Sequence, residues 1–295
     1  MLPTADQAPY GRYAPGLFAR TVLAMTRRLP ANWLGLRLSM PLRRLAINSL
    51  GDRPVDTALW NSHLRLYPSR NSCEKNALFT PQMFDALELG ILAAAVDQRT
   101  AEGGTFTFVD IGANVGLYSL YVASRAGPGA RILAVEPQPG IVDRLLFNVR
   151  ANARFNVVVL AMAVADRAAE MELVIDERDS GGTHLNKSAA ATPGATAVRV
   201  PCRPLTAILD LAGISSIDAL KIDIEGAEDL ALAPLLREAP QSLLPHLVLI
   251  ENRPQDWSVD LYALLQGRGY VVSARSRQNI VFRLEPRTHE SAAPP

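Results

Sequence analysis

The sequence has few cysteines, no excess of charge and no long apolar run, and each lack excludes a class of protein. Two cysteines, Cys73 and Cys202, lie too far apart to suggest a zinc site or a disulfide framework. Thirty basic residues almost balance twenty-nine acidic residues, so net charge gives no indication of nucleic-acid binding. No stretch approaches the roughly 18 apolar residues that a membrane-spanning helix needs. We therefore expect a reduced, cytoplasmic protein without a dedicated metal site.

Acidic residues are missing from one segment of the chain. Residues 7–51 contain no Asp or Glu but include seven arginines, namely Arg12, Arg20, Arg27, Arg28, Arg37, Arg43 and Arg44. Residues 17–50 show short amphipathic helical patterns, with breaks expected at Pro30 and Pro41. Such a segment suits peripheral contact with an anionic membrane, a lid over the rest of the chain, or packing with its arginines in water. The sequence leaves these alternatives open.

Residues 106–119 combine an apolar run ending in Asp110 with a turn that contains Gly112 and Gly116. A dinucleotide-binding turn has a third glycine, so that backbone amides can crowd around a pyrophosphate. That third glycine is missing here, whereas an acid at the strand end suits the ammonium and sulfonium of S-adenosylmethionine. Glu136 ends the next apolar run, about twenty residues beyond Gly116, where a carboxylate would meet the ribose hydroxyls. The alternative is that Asp110 caps the helix and the glycines allow close packing.

Strand-like and helix-like segments alternate through the rest of the chain, which favours a parallel sheet covered on both faces. After a loop around residues 67–75, we predict helices at 81–96, 117–126, 141–152, 205–212 and 259–266. We predict strands at 106–110, 132–136, 157–162, 171–175, 197–200, 219–223, 247–251, 270–274 and 280–284. The polar segment 176–194 reads as a long loop over the carboxyl edge of the sheet.

Three motifs resemble the FkbM family of S-adenosylmethionine-dependent methyltransferases: residues 109–120, the Glu136-Pro137 pair and residues 220–228. The resemblance covers roughly residues 71–284. It implies a class I methyltransferase fold of Rossmann-like type, with a mostly parallel seven-stranded sheet, helices on both faces and a C-terminal antiparallel hairpin. It also implies methyl transfer to a hydroxyl of a sugar, glycolipid or secondary metabolite. The cofactor-binding residues would be Asp110, Gly112, Asn114, Gly116, Tyr118, Ser119, Glu136, Pro137, Ala163 and Asp223.

The resemblance also suggests a division of the chain. We expect a basic helical N-terminal extension at residues 1–70, a methyltransferase catalytic domain at 71–289 and a disordered tail at 290–295. The expected partner is a small-molecule or glycan acceptor, with no nucleic acid. Membrane-peripheral placement would follow only if the basic segment meets a membrane, and the oligomeric state is open.

Methylation of an alcohol needs a general base within reach of the acceptor oxygen. Glu225 follows the strand at 219–223 and His184 lies in the polar loop, and we predict one of them as the catalytic base, with Glu251 as a further candidate. The alternatives are that Glu225 stabilises the next helix through its dipole and that His184 is solvated. Glu74 and Lys75 precede the first helix of the catalytic domain, where the alternatives are closure over the cofactor and an exposed ion pair, and we expect the ion pair.

Two other functions compete with this interpretation. A nicotinamide-dependent oxidoreductase on a related sheet is disfavoured, because the third glycine and a Tyr-x-x-x-Lys pair are both missing. A non-catalytic binding module is disfavoured, because it has no use for acids such as Asp110, Glu136 and Asp223 at three strand ends.

Overall fold

The computed structural model describes residues 8–154, 156–175, 184–185 and 196–285. The helices in these ranges are α1 (Leu17–Thr26), α2 (Trp33–Leu50), α3 (Ser72–Phe79), α4 (Ala86–Ala101), α5 (Leu117–Ala126), α6 (Pro139–Ala151), α7 (Leu205–Leu211), α8 (Glu228–Glu238) and α9 (Leu261–Gly267). The strands are β1 (Val55–Leu59), β2 (Ser62–Leu66), β3 (Thr107–Ile111), β4 (Arg131–Val135), β5 (Val157–Leu160), β6 (Ala163–Val164), β7 (Ala169–Ile175), β8 (His184–Leu185), β9 (Thr196–Arg203), β10 (Ala219–Ile222), β11 (Leu247–Glu251), β12 (Tyr270–Arg275) and β13 (Asn279–Leu284). Short 3-10 turns lie at Gln241–Leu243 and Pro254–Asp256.

Seven strands form the central sheet, in the spatial order β12-β13-β11-β10-β3-β4-β5. The strands from β11 to β5 pair in parallel, whereas β13 pairs antiparallel with β11 and with β12. This arrangement confirms the mostly parallel sheet and the final antiparallel hairpin expected from the sequence. Ligands of such open sheets bind at the carboxyl ends of the parallel strands, which places the site at the ends of β3, β4, β10 and β11.

Two apolar clusters pack on the opposite faces of this sheet. Alternate residues of a strand point to opposite sides, so Phe108 joins one cluster while Val109 and Ile111 join the other. The first cluster includes residues of α4, α5 and α6, and the second includes residues of α7, α8 and α9. Each fully buried aliphatic side chain contributes roughly 1.5–3 kcal/mol of transfer free energy. The two layers therefore hold the strand ends in fixed positions.

A second sheet follows β5, with the order β6-β9-β7-β8. The predicted strands at 171–175 and 197–200 correspond to β7 and β9, which pair antiparallel along their whole length. They belong to this smaller sheet and not to the central one. The loop predicted at 176–194 lies outside the described residues except for β8, whose backbone pairs with β7.

The N-terminal segment begins with two packed helices. The chain breaks at Pro30 as predicted, but Pro41 lies inside α2, so the break predicted there is wrong. Proline removes one backbone N–H and leaves the carbonyl of Arg37 without its helical donor. Both residues are exposed, so water can bind that carbonyl. No helix in the described part of the chain combines the length and the apolarity required to cross a bilayer.

The same segment contains a β-hairpin that the sequence did not indicate. Strands β1 and β2 pair antiparallel around Trp60 and Asn61, which both have positive φ, as a two-residue type I′ turn requires. Arg65 of β2 is buried and makes a bidentate ion pair with Asp56 at 2.7 and 2.9 Å. Asn148 of α6 accepts a hydrogen bond from the backbone N–H of Arg65, so the hairpin is bound to α6.

The expectation of an exposed ion pair at Glu74 is wrong, because Glu74 is not exposed. Glu74 of α3 is fully buried, where it pairs with Arg144 of α6 and accepts a hydrogen bond from the backbone N–H of Tyr67. The guanidinium of Arg144 also lies over the Tyr67 ring, 4.1 Å from its centroid. Breaking a buried pair leaves an uncompensated charge, so this contact fixes α3 against the sheet domain.

Candidate active site

A cavity of about 980 Å³, partly open to solvent, lies at the carboxyl ends of β3, β4 and β10. We call it the first cavity. Of the predicted cofactor residues, the following line it: Gly112, Asn114, Tyr118, Glu136, Pro137, Ala163 and Asp223.

The backbone amides of the turn between β3 and α5 already donate to acceptors within the protein. The amides of Gly112 and Ala113 donate to the carbonyl of Val135, and the others donate to acceptors next to the turn. Those acceptors are Glu136 for Asn114, the Asn114 side chain for Val115, and the Ala113 carbonyl for Gly116. A pyrophosphate needs free amides at such a turn, whereas these five are engaged. The turn therefore fits a ligand without phosphate groups.

Gly112 also brings two strands together. Its φ is +73°, and a methyl group built there would overlap the backbone carbonyl of Asp223 at the end of β10. The ammonium of Lys221 lies 3.5 Å from the Gly112 carbonyl oxygen, and so joins the same two strand ends. Glycine is therefore required both by the backbone conformation and by this close approach.

Asp110, Gly116 and Ser119 lie behind the first cavity. Asp110 is fully buried and accepts a 2.6 Å hydrogen bond from the Ser119 hydroxyl and another from its backbone N–H, which is the capping geometry considered as the alternative. A methyl group at Gly116 would meet the Leu145 side chain at 2.5 Å, so Gly116 allows helix packing. Contact of these three residues with a cofactor stays a prediction, and their observed contacts support the cavity wall.

Lys221 carries the positive charge of this region. Its ammonium lies 3.3 Å from Asp223 and 3.8 Å from Asp110, and 5.1 Å above the Tyr118 ring. Burial disfavours the charged form, but the neighbouring carboxylates Asp223 and Asp110 outweigh it and raise the pKa of Lys221. Burial raises the pKa of Asp110, and Lys221 opposes that shift. The lysine thus compensates two acids that would otherwise repel each other.

Glu136 lies on the opposite wall of the first cavity, after β4. One carboxylate oxygen accepts a hydrogen bond from the backbone N–H of Asn114 and the other from that of Gln138, both at 3.0 Å. Burial raises the pKa of Glu136 to about 7, although these two hydrogen bonds favour the ionised form. Each oxygen keeps a lone pair that can accept from a hydroxyl donor. The arrangement fits the two neighbouring hydroxyls of a ribose.

The remaining wall of the first cavity is mostly apolar. It includes Pro137, Ile141, Met162, Ala163 and Val164. A flat heterocycle such as adenine binds well between aliphatic side chains. Together with the Glu136 carboxylate and the engaged turn, this wall fits the nucleoside part of S-adenosylmethionine.

A second cavity of about 1680 Å³, also partly open, adjoins the first. The two cavities share a border of five residues: Cys73, Phe84, Asp85, Asp223 and Glu225. Amide and hydroxyl side chains line much of the second cavity, namely Asn32, Ser72, Asn76, Thr80, Gln82, Gln278 and Asn279. Glu251 and Arg253 also line the second cavity, and so do Ala31 and Leu36 of the N-terminal segment. Such a lining suits a molecule with many hydroxyl groups.

The structure places the side chains of two of the three predicted candidates for the general base. Glu225 lines both cavities and pairs with Arg253 at 3.1 Å. Glu251 lines the second cavity, and one of its oxygens accepts from the Nε of Arg253 at 2.9 Å. The other oxygen is buried and has no hydrogen-bond partner among the described residues. The backbone of His184 lies in β8, and its side chain is outside the described part of the structure.

Burial, followed by the charges of Asp223 and Glu225, raises the pKa of Glu251 to about 7. A carboxylate with a pKa near neutrality is a stronger base than an ordinary glutamate and is still largely ionised above pH 7. Glu251, which lines the second cavity, therefore has the features of a proton acceptor.

Three residues that line the cavities have positive φ, and two of them, Asp85 and Glu225, lie at the border. Asp85, Asn114 and Glu225 have φ values of +41°, +50° and +55°, a region that non-glycine residues rarely adopt. Each also lines a cavity, and Asp85 accepts a 2.8 Å hydrogen bond from the Tyr118 hydroxyl. Strain of this kind is maintained by surrounding structure and clusters at functional sites.

Several residues of the site had no clear sequence signal. Asp85, Phe84 and Gln82 precede α4, where the sequence only showed a helical pattern. Asn71 caps α3 and donates to the Asn114 side chain at 3.1 Å, which ties α3 to the glycine turn. Arg253 follows β11, and its contacts with Glu225 and Glu251 depend on long-range folding. Lys221 was recognisable as a charge on a buried strand, but its role in pairing two acids was not.

More than half of the chain matches a known protein family. Residues 110–272 match the family model of the methyltransferase FkbM domain. Methyltransferase sdnD of Sordaria araneosa is 30% identical over 192 residues, which cover 56% of this chain and 73% of that protein. The AMB antimetabolite synthetase AmbE of Pseudomonas aeruginosa is 31% identical over 205 residues, 57% of this chain but 10% of that protein. The chain therefore corresponds to a small part of AmbE.

Solved structures with a similar fold are distant in sequence. A precorrin-6y C5,15-methyltransferase from Geobacter metallireducens GS-15 is 12% identical, with a TM-score of 0.36, over 66% of this chain and 87% of that one. A SAM-dependent methyltransferase from Aquifex aeolicus is 14% identical, with a TM-score of 0.34, over 63% of this chain and 87% of that one.

Proposed function

Because this chain belongs to the FkbM family of methyltransferases, we propose that it transfers the methyl group of S-adenosylmethionine to a hydroxyl of a sugar, glycolipid or secondary metabolite. The observation that carries the proposal is the pair of adjoining cavities with different linings. The first offers a ribose-binding carboxylate and an apolar wall, and the second offers carboxylates and amides. The two meet at Asp223 and Glu225, where the transferred group would lie.

The residues of the first cavity would hold the cofactor by its nucleoside and amino-acid ends. Glu136 would accept hydrogen bonds from the ribose hydroxyls, and the aliphatic wall around Ala163 and Met162 would enclose the adenine. Asp223 faces the cavity and offers a carboxylate to the ammonium of the methionine part. Bound S-adenosylmethionine supplies an electrophilic methyl group on a sulfonium. The engaged amides of the glycine turn disfavour a dinucleotide cofactor instead.

The protein's part in the transfer is to position the acceptor oxygen and remove its proton. We assign the general base to Glu251, which lines the second cavity and whose second oxygen has no hydrogen-bond partner among the described residues. During methyl transfer, the Glu251 carboxylate would take up the proton that the acceptor hydroxyl gives up. Glu225 and Arg253 hold the border in place through their ion pair. Correct alignment contributes most in such an in-line displacement, because the sulfonium charge disappears during the reaction.

A labelled-cofactor screen tests the proposal. The full chain is incubated with S-adenosylmethionine that carries a labelled methyl group and with separate panels of glycans, glycolipids, hydroxylated polyketides and amines. We expect label on an oxygen of a hydroxylated acceptor, located by mass spectrometry. Label on nitrogen or carbon in every active panel would contradict O-methylation and leave the family assignment intact. Calorimetry with S-adenosylhomocysteine tests cofactor binding separately.

A further inference from the structure

Large apolar side chains are exposed mainly on one part of the described surface. Fourteen such residues are exposed within the described ranges, and nine of them belong to α1 and α2: Leu17, Phe18, Met25, Trp33, Leu34, Leu36, Leu38, Met40 and Leu45. Trp33 is 73% exposed and Leu17 is 81% exposed. The two helices pack against each other, so these side chains form one surface, which we call the helix-pair face. A large exposed apolar surface usually marks an interaction site.

Helix α2 exposes most of its large apolar residues, which is unusual for a helix on a protein surface. The side that packs against the protein buries Gly35, Ser39 and Ala46, which are all small. A methyl group at Gly35 would overlap the carbonyl oxygen of Pro30, so this position cannot take a larger residue. Leu42, Ile47 and Leu50 are partly buried against the core, whereas six other long apolar side chains of α2 are exposed. A helix that is apolar on its exposed side is suited to an apolar environment beyond the protein surface.

Arginines share this face with the apolar residues. Arg37 and Arg44 lie seven residues apart and therefore on the same stripe of α2. On one side of this stripe are Trp33, Leu36 and Met40, and on the other are Leu34, Leu38 and Leu45. The exposed arginines of this segment are Arg12, Arg20, Arg28, Arg37 and Arg44. In the described part of the chain none of these five forms an ion pair, and residues 7–51 contain no acid. The positive charge of the face is therefore uncompensated by its own segment.

We propose that the helix-pair face docks onto an anionic lipid surface. Its Trp, Phe and Leu side chains would enter the boundary between headgroups and acyl chains, and its arginines would bind lipid phosphates. The charge argues for this occupant, because a second copy of the chain would bring the same arginines into contact with each other. Long arginine side chains can extend to the headgroups while their stems remain in apolar surroundings.

Docking in this orientation would place the second cavity at the lipid surface. Ala31, Asn32 and Leu36 line that cavity and also lie at or beside the helix-pair face. If the proposed function holds, the acceptor is then an amphipathic molecule whose hydroxylated head enters the cavity while its apolar part stays in the bilayer. This step rests on the proposed function, whereas docking itself does not.

Vesicle co-sedimentation with the full chain tests docking without any acceptor. We expect binding to phosphatidylcholine vesicles that contain phosphatidylglycerol, weak binding to pure phosphatidylcholine, and a decrease with added salt. One basic residue near an anionic surface contributes about five-fold in binding, so Arg37→Gln/Arg44→Gln should reduce it about thirty-fold. Leu34→Ser/Leu38→Ser should weaken it as well. The matched control is Arg150→Gln/Arg237→Gln, two exposed arginines on α6 and α8, which should bind like the parent.

Two results would overturn docking. One is that the parent chain does not bind vesicles containing phosphatidylglycerol, or that Arg37→Gln/Arg44→Gln binds them as well as the parent does. The other is that sedimentation velocity without lipid shows a dimer that Leu34→Ser/Leu38→Ser dissociates, because a second copy would then cover the face. Calorimetry with S-adenosylhomocysteine should give the same affinity for all variants, so a failure of docking is distinguishable from a failure of the cofactor site.

The acceptor class has its own readout. The parent chain is incubated with labelled S-adenosylmethionine and vesicles made from a total lipid extract, and the label is partitioned between organic and aqueous phases. We expect label in the organic phase, and a large reduction for Arg37→Gln/Arg44→Gln but not for the control pair. Label confined to water-soluble acceptors would refute the lipid-phase acceptor.

Discussion

The two cavities each contain a carboxyl group with a pKa near 7, but the surroundings of the two groups differ. Both oxygens of Glu136 accept backbone hydrogen bonds, and burial is the main cause of its raised pKa. Glu251 has one oxygen on Arg253 and one without a partner among the described residues, and neighbouring acids add to the effect of burial. A carboxylate held on both oxygens is suited to binding, whereas one with an unpaired oxygen is suited to receiving a proton. Equal pKa values therefore do not imply equal roles.

Replacing the proton acceptor should have the largest effect. Glu251→Gln keeps the shape of the side chain but cannot take a proton, so kcat for an alcohol acceptor should fall about a hundred- to ten-thousand-fold. Affinity for S-adenosylhomocysteine should change little, since Glu251 does not line the first cavity. The control is Glu238→Gln, an exposed glutamate of α8. Unchanged turnover in Glu251→Gln would transfer the role to another group, and Glu225→Gln and His184→Gln are then the variants to compare.

Replacing the binding carboxylate should have a smaller effect on a different quantity. Hydrogen bonds to a charged group contribute about 1.5–3 kcal/mol, so Glu136→Gln should weaken S-adenosylhomocysteine binding roughly ten- to a hundred-fold by calorimetry. The glutamine also leaves one backbone N–H without an acceptor, so thermal unfolding must be measured in parallel. Asp143→Asn on the exposed side of α6 is the matched control. Wild-type affinity in a folded Glu136→Gln protein would remove Glu136 from the ribose site.

The pH dependence of S-adenosylhomocysteine binding distinguishes Glu136 from Glu251. Its expected effect is the smallest of the three. Ribose hydroxyls donate to the ionised form of Glu136, so affinity is retained above pH 7 and lost as pH falls through the pKa of about 7. Affinity for S-adenosylhomocysteine should be about ten-fold lower at pH 6 than at pH 8. Calorimetry should show this dependence in Glu251→Gln and a flat profile in Glu136→Gln. The reverse pattern would mean that Glu251 controls binding.

Local sequence patterns predicted the sheet because each of its strands contains a short apolar run, and an acid marks the end of some of them, such as Glu136 after β4 and Glu251 in β11. Helix α5 and strand β11 were predicted with the bounds that the structure has, since Gly116 precedes the first and Pro254 follows the second. The β1–β2 hairpin was missed because its turn consists of Trp60 and Asn61, and a tryptophan with positive φ has no sequence signal. Helix α3 was missed because it is only eight residues long and has no clear apolar stripe.

The site residues that follow consecutive strands were predictable from the sequence. The site residues that come together from distant segments were not. The glycine turn and Glu136 follow consecutive strands, so their spacing in sequence indicated their meeting in space. Glu74 was expected to be exposed, because its partner Arg144 is 70 residues away and only the folded chain brings them together. The second cavity draws residues from α2, α3, α4, β11 and β13, and no local pattern connects those segments.

The narrow border between the cavities makes the acceptor preference open to redesign. Residues such as Asn76, Gln82 and Gln278 line the second cavity without touching the first. Substitutions there can alter which molecule is recognised while the methyl-donor compartment keeps its affinity. A library confined to these positions would retarget the protein without rebuilding its chemistry.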